Sequence, residues 1–280
     1  MKVMQGSICR LLVLGTMILG LLPTVQAQSV APHTVSYSDN QVQAKFMLGQ
    51  SFDLALSLEF DQVVGLHPAN LDISAEIVMP TDPRVVDRLP SSLVDGVAGF
   101  PVLVSVQPKS DKGFAFEGLA NIEFYTKAIH FDPTVPWRLF TSHDEGTFED
   151  ITTLTSTGSY RARGSTGRFS DFIILLDSRD TNTIIEHKFA LLSDTLRDNR
   201  AMLPAAVTTL LDPLMLTLES AILTFDTDSA LTASDALIAA LEDTTGNTVP
   251  DVWRSSGDIV NVKGDLLSRL YTLRYTLRTQ

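Results

Sequence analysis

The sequence predicts an α+β fold, with an immunoglobulin-like antiparallel β-sandwich over 28–178 followed by a packed helical region over 179–280. Three observations predict it. The stretch 119–177 holds NIEFYT (121–126), PWRLF (136–140), TFEDITTL (147–154), GSYRARG (158–164) and RFSDFIILLD (168–177), strand-like runs parted by turn-rich gaps. The apolar period then changes near 177–180, from two residues before it to about 3.6 after it. Finally, 44% hydrophobic and 19% charged residues supply enough apolar surface for a core.

Residues 1–27 read as a secretory signal peptide. Lys2 and Arg10 form a basic start, 11–22 is an apolar run too short to span a bilayer comfortably, and Val25-Gln26-Ala27 offers cleavage before Gln28. Cys9 precedes that run, so it cannot serve as a lipoprotein anchor, and the mature chain would contain no cysteine. These features predict a bacterial protein of the periplasm or the medium, with no transmembrane segment after cleavage.

Along the mature chain, TVSYS (34–38) and QVQAKFML (41–48) flank the turn pair Asp39-Asn40. In FDLALSLEF (52–60), Phe52, Leu54, Leu56, Leu58 and Phe60 point inward, while Asp53, Ala55, Ser57 and Glu59 form a wet face. LDISAEIVM (71–79) repeats the pattern, with Leu71, Ile73, Ala75, Ile77 and Met79 predicted inside. Residues 80–99 read as an excursion across one end of the sandwich, opened by Asp82-Pro83 as a helix start. Strands resume at 100–108 and 114–126, with a bend expected at Gly118.

Beyond Asp180, Thr183-Ile-Ile-Glu186 has capping-box spacing ahead of the stripe Ile185, Phe189, Leu192, Leu196. A second helix starts at Pro204, a short third at Ser234, and Thr248-Val-Pro-Asp251 is expected to cap a fourth. The end is ambiguous. Leu266, Leu270, Leu273 and Leu277 would line a helix, yet Tyr271, Leu273, Tyr275 and Leu277 alternate as in a strand. The reading adopted is a helix near 263–270, then a terminal strand.

The formal net charge is −12, more acidic still once Lys2 and Arg10 are lost. Nucleic acid and anionic membrane are therefore poor partners. An envelope polysaccharide or protein fits better.

The run WRLF, FEDIT, GSYRARG, FSDFIILLD resembles the closing half of β-sandwich modules in exported bacterial proteins. With RLP at 88–90, the GSYR…FS-F run and a Leu-Arg-rich C-terminus, the mature chain resembles a family of exported bacterial proteins classed as a domain of unknown function. The resemblance implies architecture and export, and no chemistry.

No catalytic, cofactor or metal site is expected. Asp226-Thr-Asp228 echoes a calcium loop, but Ala230, Leu231 and Leu237 stand where oxygen ligands and glycine belong, so a helix start with Ser234 as cap is the reading. His143-Asp144-Glu145-Gly146 reads as a hairpin tip. There is no G-x-S-x-G elbow and no phosphate loop. Only Arg161, Arg163 and Arg168 stand out, as a basic cluster in an acidic sandwich. Arg161 and Arg163 share a strand face opposite Tyr160 and Ala162. They could grip a carboxylate or acidic sugar, or pair with Glu149, Asp150 or acids of the helical region. A non-catalytic binding or structural module is thus expected. The other class, a hydrolase with an Asp/Glu pair, would require a deep pocket where two acids converge.

Overall fold

The computed structural model describes residues 29–169 and 171–280; the expected signal peptide, its cleavage site and Cys9 lie outside them. Among the described residues the chain is α+β, built from two antiparallel sheets and five helices.

The larger sheet begins as a meander of β1 (Thr34–Tyr37), β2 (Gln41–Leu48) and β3 (Phe52–Val64). It continues through β7 (Ala115–His130), β11 (Ser159–Thr166) and β10 (Thr152–Ser156). The smaller sheet runs β4 (Leu71–Ile77), β6 (Val102–Pro108), β12 (Asp171–Asp177), β8 (Trp137–Ser142), β9 (Glu149–Asp150), with β5 (Val94–Gly96) also on β12. Inward residues of both sheets share one core. Leu54, Leu56, Leu58 and Phe60 enter it as the alternation dictates, and Phe124 meets Phe172 across the gap at 6.4 Å. Trp137 packs edge-on against buried Tyr160 at 5.5 Å.

Two details differ from the sequence reading here. Ile77 and Met79 are exposed; β4 ends at Ile77 and the buried residue is Val78, so the alternation slips by one where the chain turns. The 80–99 excursion covers the outer face of the smaller sheet. Val85 of the short helix α1 (Pro83–Val86), Val78, Val94 and Phe148 bury Ile173, Leu175, Leu103 and Phe140. Arg88, from the RLP motif, holds this cover down. Its guanidinium donates to Asp171 Oδ2 at 2.9 Å and Gly146 O at 3.1 Å, and stacks on the Phe148 ring.

The bend expected in β7 is present. Gly118 has φ +72°, and the β3 pairing shifts register between Phe60 and Gln62. A Cβ there would run into the Asp61 carboxylate, which accepts the Leu119 N–H at 2.9 Å.

The helices are α2 (Thr181–Asp198), α3 (Ala205–Leu223), α4 (Thr227–Glu242) and α5 (Val262–Arg278). Their starts correct three expected caps. Asp180, not Thr183, caps α2, accepting from the Asn182 N–H. Asp226 caps α4 through the Ser229 N–H and hydroxyl, leaving Ser234 buried mid-helix; the Asp226-Thr-Asp228 motif is this helix start. No helix starts at 248–251. Instead β13 (Val252–Arg254) pairs with β7 and places Trp253 against Phe116 and Phe169.

The expected terminal strand is also corrected, since 262–278 is one helix. Tyr and Thr favour strands only where the surface suits them. Here one helical face buries Leu266, Leu270, Leu273 and Leu277 together, which alternation would split between two faces. Asn261 caps α5 at the Gly264 N–H and donates to Gly118 O at 2.7 Å, tying the helix to the bend in β7.

Candidate functional site

Helix α5 covers one end of the larger sheet's outer face. Leu119 belongs to the helical core, and Ser268 donates to Ser165 O at 2.6 Å. The rest of that face is open. Strand register lays three rows across β2, β3, β7 and β11: Lys45–Ala55–Tyr125–Arg161, Gln43–Ser57–Glu123–Arg163, and Gln41–Glu59–Asn121 beside Ser165. These side chains point outward because their neighbours in sequence, such as Phe46, Leu56, Phe124 and Ala162, fill the core. The rows line a shallow depression of about 640 Å³.

Glu123 organises the depression. Its two oxygens accept from Arg161 and from Arg163, each at 2.5 Å, and the Arg161 guanidinium lies 5.0 Å from the Tyr125 ring centre. Gln41 donates to Ser57 Oγ at 3.1 Å and Gln43 to Gln41 Oε1 at 3.2 Å. The result is a platform of hydrogen-bonding groups with an aromatic edge, its arginines held by a shared carboxylate. The partner of Arg161 and Arg163 is thus Glu123 on the neighbouring strand, rather than Glu149 or Asp150.

Arg168 lies elsewhere. It lines a crevice of about 110 Å³ between β8, β11 and α5, with His143, Glu149, Asp265 and Arg269. Arg168 Nε stands 3.5 Å from Asp265 Oδ1, and Arg269 pairs with Glu149 at 2.9 Å. His143 Nδ1–H donates to Phe169 O at 2.7 Å. Burial raises the Asp265 carboxyl above its ordinary value, against the pull of Arg168 and Arg269. The folded state therefore holds that proton more tightly than the unfolded chain. This contribution to stability is full below the unfolded value near ~4 and fades as pH rises through the folded one. Asp265→Asn should match the wild type in denaturant melts near pH ~3.5 and exceed it increasingly toward neutrality. A difference that shrinks as pH rises would contradict this account of the crevice.

A third polar cluster is sealed. Lys188 of α2 is 3% exposed. Its ammonium donates to Asp150 Oδ2 at 2.6 Å, Thr272 Oγ1 at 2.7 Å and Thr276 Oγ1 at 2.9 Å. Burial pushes the Asp150 carboxyl up, but Lys188, with Arg138 behind it, overrides that and holds it below its usual range. Burial also pulls the Lys188 amine down, with Asp150 opposing. With its three protons spent on three oxygens, this lysine is a bolt between α2, α5 and β9.

Sequence reasoning singled out Arg161 and Arg163 but not Glu123, Tyr125 or Lys188. The wet face of 52–60 was legible; which strands would lie beside it was not. Lys188 left one trace, a charge at helical spacing inside the stripe of Ile185 and Leu192.

In comparisons with known proteins, the family described as "Family of unknown function (DUF6689)" matches residues 16–280. No curated protein and no solved structure matches the chain.

Proposed function

The chain belongs to the family of unknown function DUF6689, and we propose that it is an exported, non-catalytic binding module that takes a polysaccharide on the open face of its larger sheet. One observation carries the reading: three aligned rows of hydrogen-bonding side chains, with Tyr125 among them, remain uncovered on a rigid sheet. Sugar chains are bound by such combinations of planar polar groups and an aromatic surface. The face is wide and shallow, which suits a polymer lying along it better than an engulfed small molecule. Lys45, Arg161 and Arg163 offset Glu59 and Glu123, so the face is less acidic than the chain as a whole.

The hydrolase reading draws on the crevice, where Asp265 carries a raised carboxyl near Glu149. Its volume of about 110 Å³ falls short of a sugar ring's needs, and Glu149 is committed to Arg269.

The test is affinity electrophoresis of the chain in gels containing dextran, as a neutral polymer, or polygalacturonate, as an acidic one. Retardation by at least one is expected. Tyr125→Ala should weaken it by about tenfold or more, as loss of a stacking anchor does, with an unchanged thermal melt. Asp265→Asn should leave it unaltered. Retardation by neither polymer, or equal retardation of Tyr125→Ala, would reject the reading.

A further inference from the structure

The crevice between β8, β11 and α5 gathers Glu149, Arg168, Asp265 and Arg269 with His143, and most of these groups are already engaged. Arg269 closes on Glu149 through two contacts, at 2.9 and 3.3 Å. His143 bonds Phe169 O through Nδ1 and stands 3.1 Å from Asp144 through Nε2. Arg168 and Asp265 are left. Asp265 is 9% exposed, yet among the described residues its carboxyl has one polar contact, with Arg168 Nε at 3.5 Å. That is too long for a good hydrogen bond. Close backbone packing creates this situation. Asp265 stands in the first turn of α5, and Gly167 lets the chain beyond β11 pass against it, since a Cβ there would lie 2.6 Å from both its N and Oδ1. The carboxyl is therefore buried by backbone on one side and faces the crevice on the other. A buried acceptor without a good donor carries a desolvation cost, which a ligand bringing the donor would relieve.

We propose that the crevice binds the zwitterion of a small free α-amino acid, its ammonium on Asp265 and its carboxylate on Arg168. Charge selects this class. A guanidinium and a carboxylate 3.5 Å apart attract and repel a singly charged ligand almost equally. An acid drawn to Arg168 meets Asp265, and an amine drawn to Asp265 meets Arg168. A zwitterion laid antiparallel to the pair satisfies both, because its ammonium and carboxylate oxygen are held about 3 Å apart by the covalent geometry of N–Cα–C–O.

Each half of the site suits its group. The Arg168 side chain is 36% exposed, so its planar fork can take a carboxylate with two parallel bonds. Burial raises the Asp265 carboxyl against the pull of Arg168 and Arg269, so the cations present leave its charge under-compensated, and an ammonium supplies what is short. Room and lining set the size. The crevice offers about 110 Å³, and Ile151 is the one apolar side chain in its described lining, among hydroxyls such as those of Thr141, Thr147 and Ser268. Glycine or serine fits these walls, whereas a large apolar side chain would be pressed against polar groups it cannot satisfy.

Isothermal titration calorimetry of the full chain near neutral pH should show saturable binding of glycine or L-serine. Sodium acetate and methylammonium chloride, which carry the two charges separately, should give no saturable heat over the same range. Asp265→Asn should weaken amino-acid binding by about tenfold or more, as loss of a charged hydrogen-bond partner does. That variant is expected to be at least as stable as the wild type, so its loss of binding is not a loss of fold. Arg168→Gln should weaken binding to a similar degree. Tyr125→Ala, on the open face of the larger sheet, should bind the amino acid as the wild type does, which separates this site from the polysaccharide surface. No saturable binding of either amino acid, acetate or methylammonium binding as tightly as glycine and serine, or unchanged binding by Asp265→Asn would overturn the proposal.

Discussion

Lys188→Met should destabilise the protein by about 3–5 kcal/mol in denaturant melts, because it leaves the Asp150 carboxylate buried and unpaired. The ammonium contacts three oxygens at 2.6–2.9 Å, and Lys188 is 3% exposed. Removing it strands Asp150 Oδ2, while the Thr272 and Thr276 hydroxyls still donate to Asp150 O and Thr272 O at 3.1 Å, so the buried carboxylate carries the desolvation cost. The pair itself need not be strongly stabilising, since taking two charges out of water offsets most of their attraction. The double variant Lys188→Met/Asp150→Leu should therefore recover much of the loss, a coupling that distinguishes a buried pair from simple packing. A loss below about 1 kcal/mol for Lys188→Met would mean that the site admits water and that the bolt is not one.

Ile174→Ala should cost about 2–5 kcal/mol. β12 is central in the smaller sheet and buried on both faces: Phe172 and Ile174 lie in the main core, Ile173 and Leu175 beneath the excursion around α1. Such a site cannot collapse to fill the space a truncated side chain leaves, because both sides are held by other elements. Ile173→Ala should also be costly, at the lower end of that range, because its cluster is smaller. A loss below about half a kcal/mol for Ile174→Ala would contradict the register of β12.

How far the sequence could be read depended on whether a signal was local. The strands at 41–48 and 52–60 alternate by themselves, so their inward residues could be named without a partner. The change of period at 177–180 likewise marks where β12 ends and α2 begins. Non-local features escaped. Val252–Arg254 is too short to announce itself as a strand, and pairs with residues 115–117 of β7, ahead of Gly118, on the edge that β11 leaves uncovered. Residues 271–278 carry strand-prone types, but the buried leucine face and the Thr272 and Thr276 hydroxyls needed by Lys188 decide for helix. The candidate site divides in the same way. Arg161 and Arg163 share a face by parity alone, whereas Glu123 and Tyr125 join them through the pairing of β7 with β11, and Arg168 leaves them because β11 ends at Thr166.

In the proposed function, the open face of the larger sheet is the ligand surface. Amide chemical shifts of the ¹⁵N-labelled chain during titration with soluble oligomers of dextran and of polygalacturonate would map that surface. Shifts are expected along Gln41–Lys45, Ala55–Glu59, Asn121–Tyr125 and Arg161–Arg163, with the amides around Asp265 unmoved. Shifts centred on His143, Arg168 and Asp265, or no shifts with either oligomer, would contradict it.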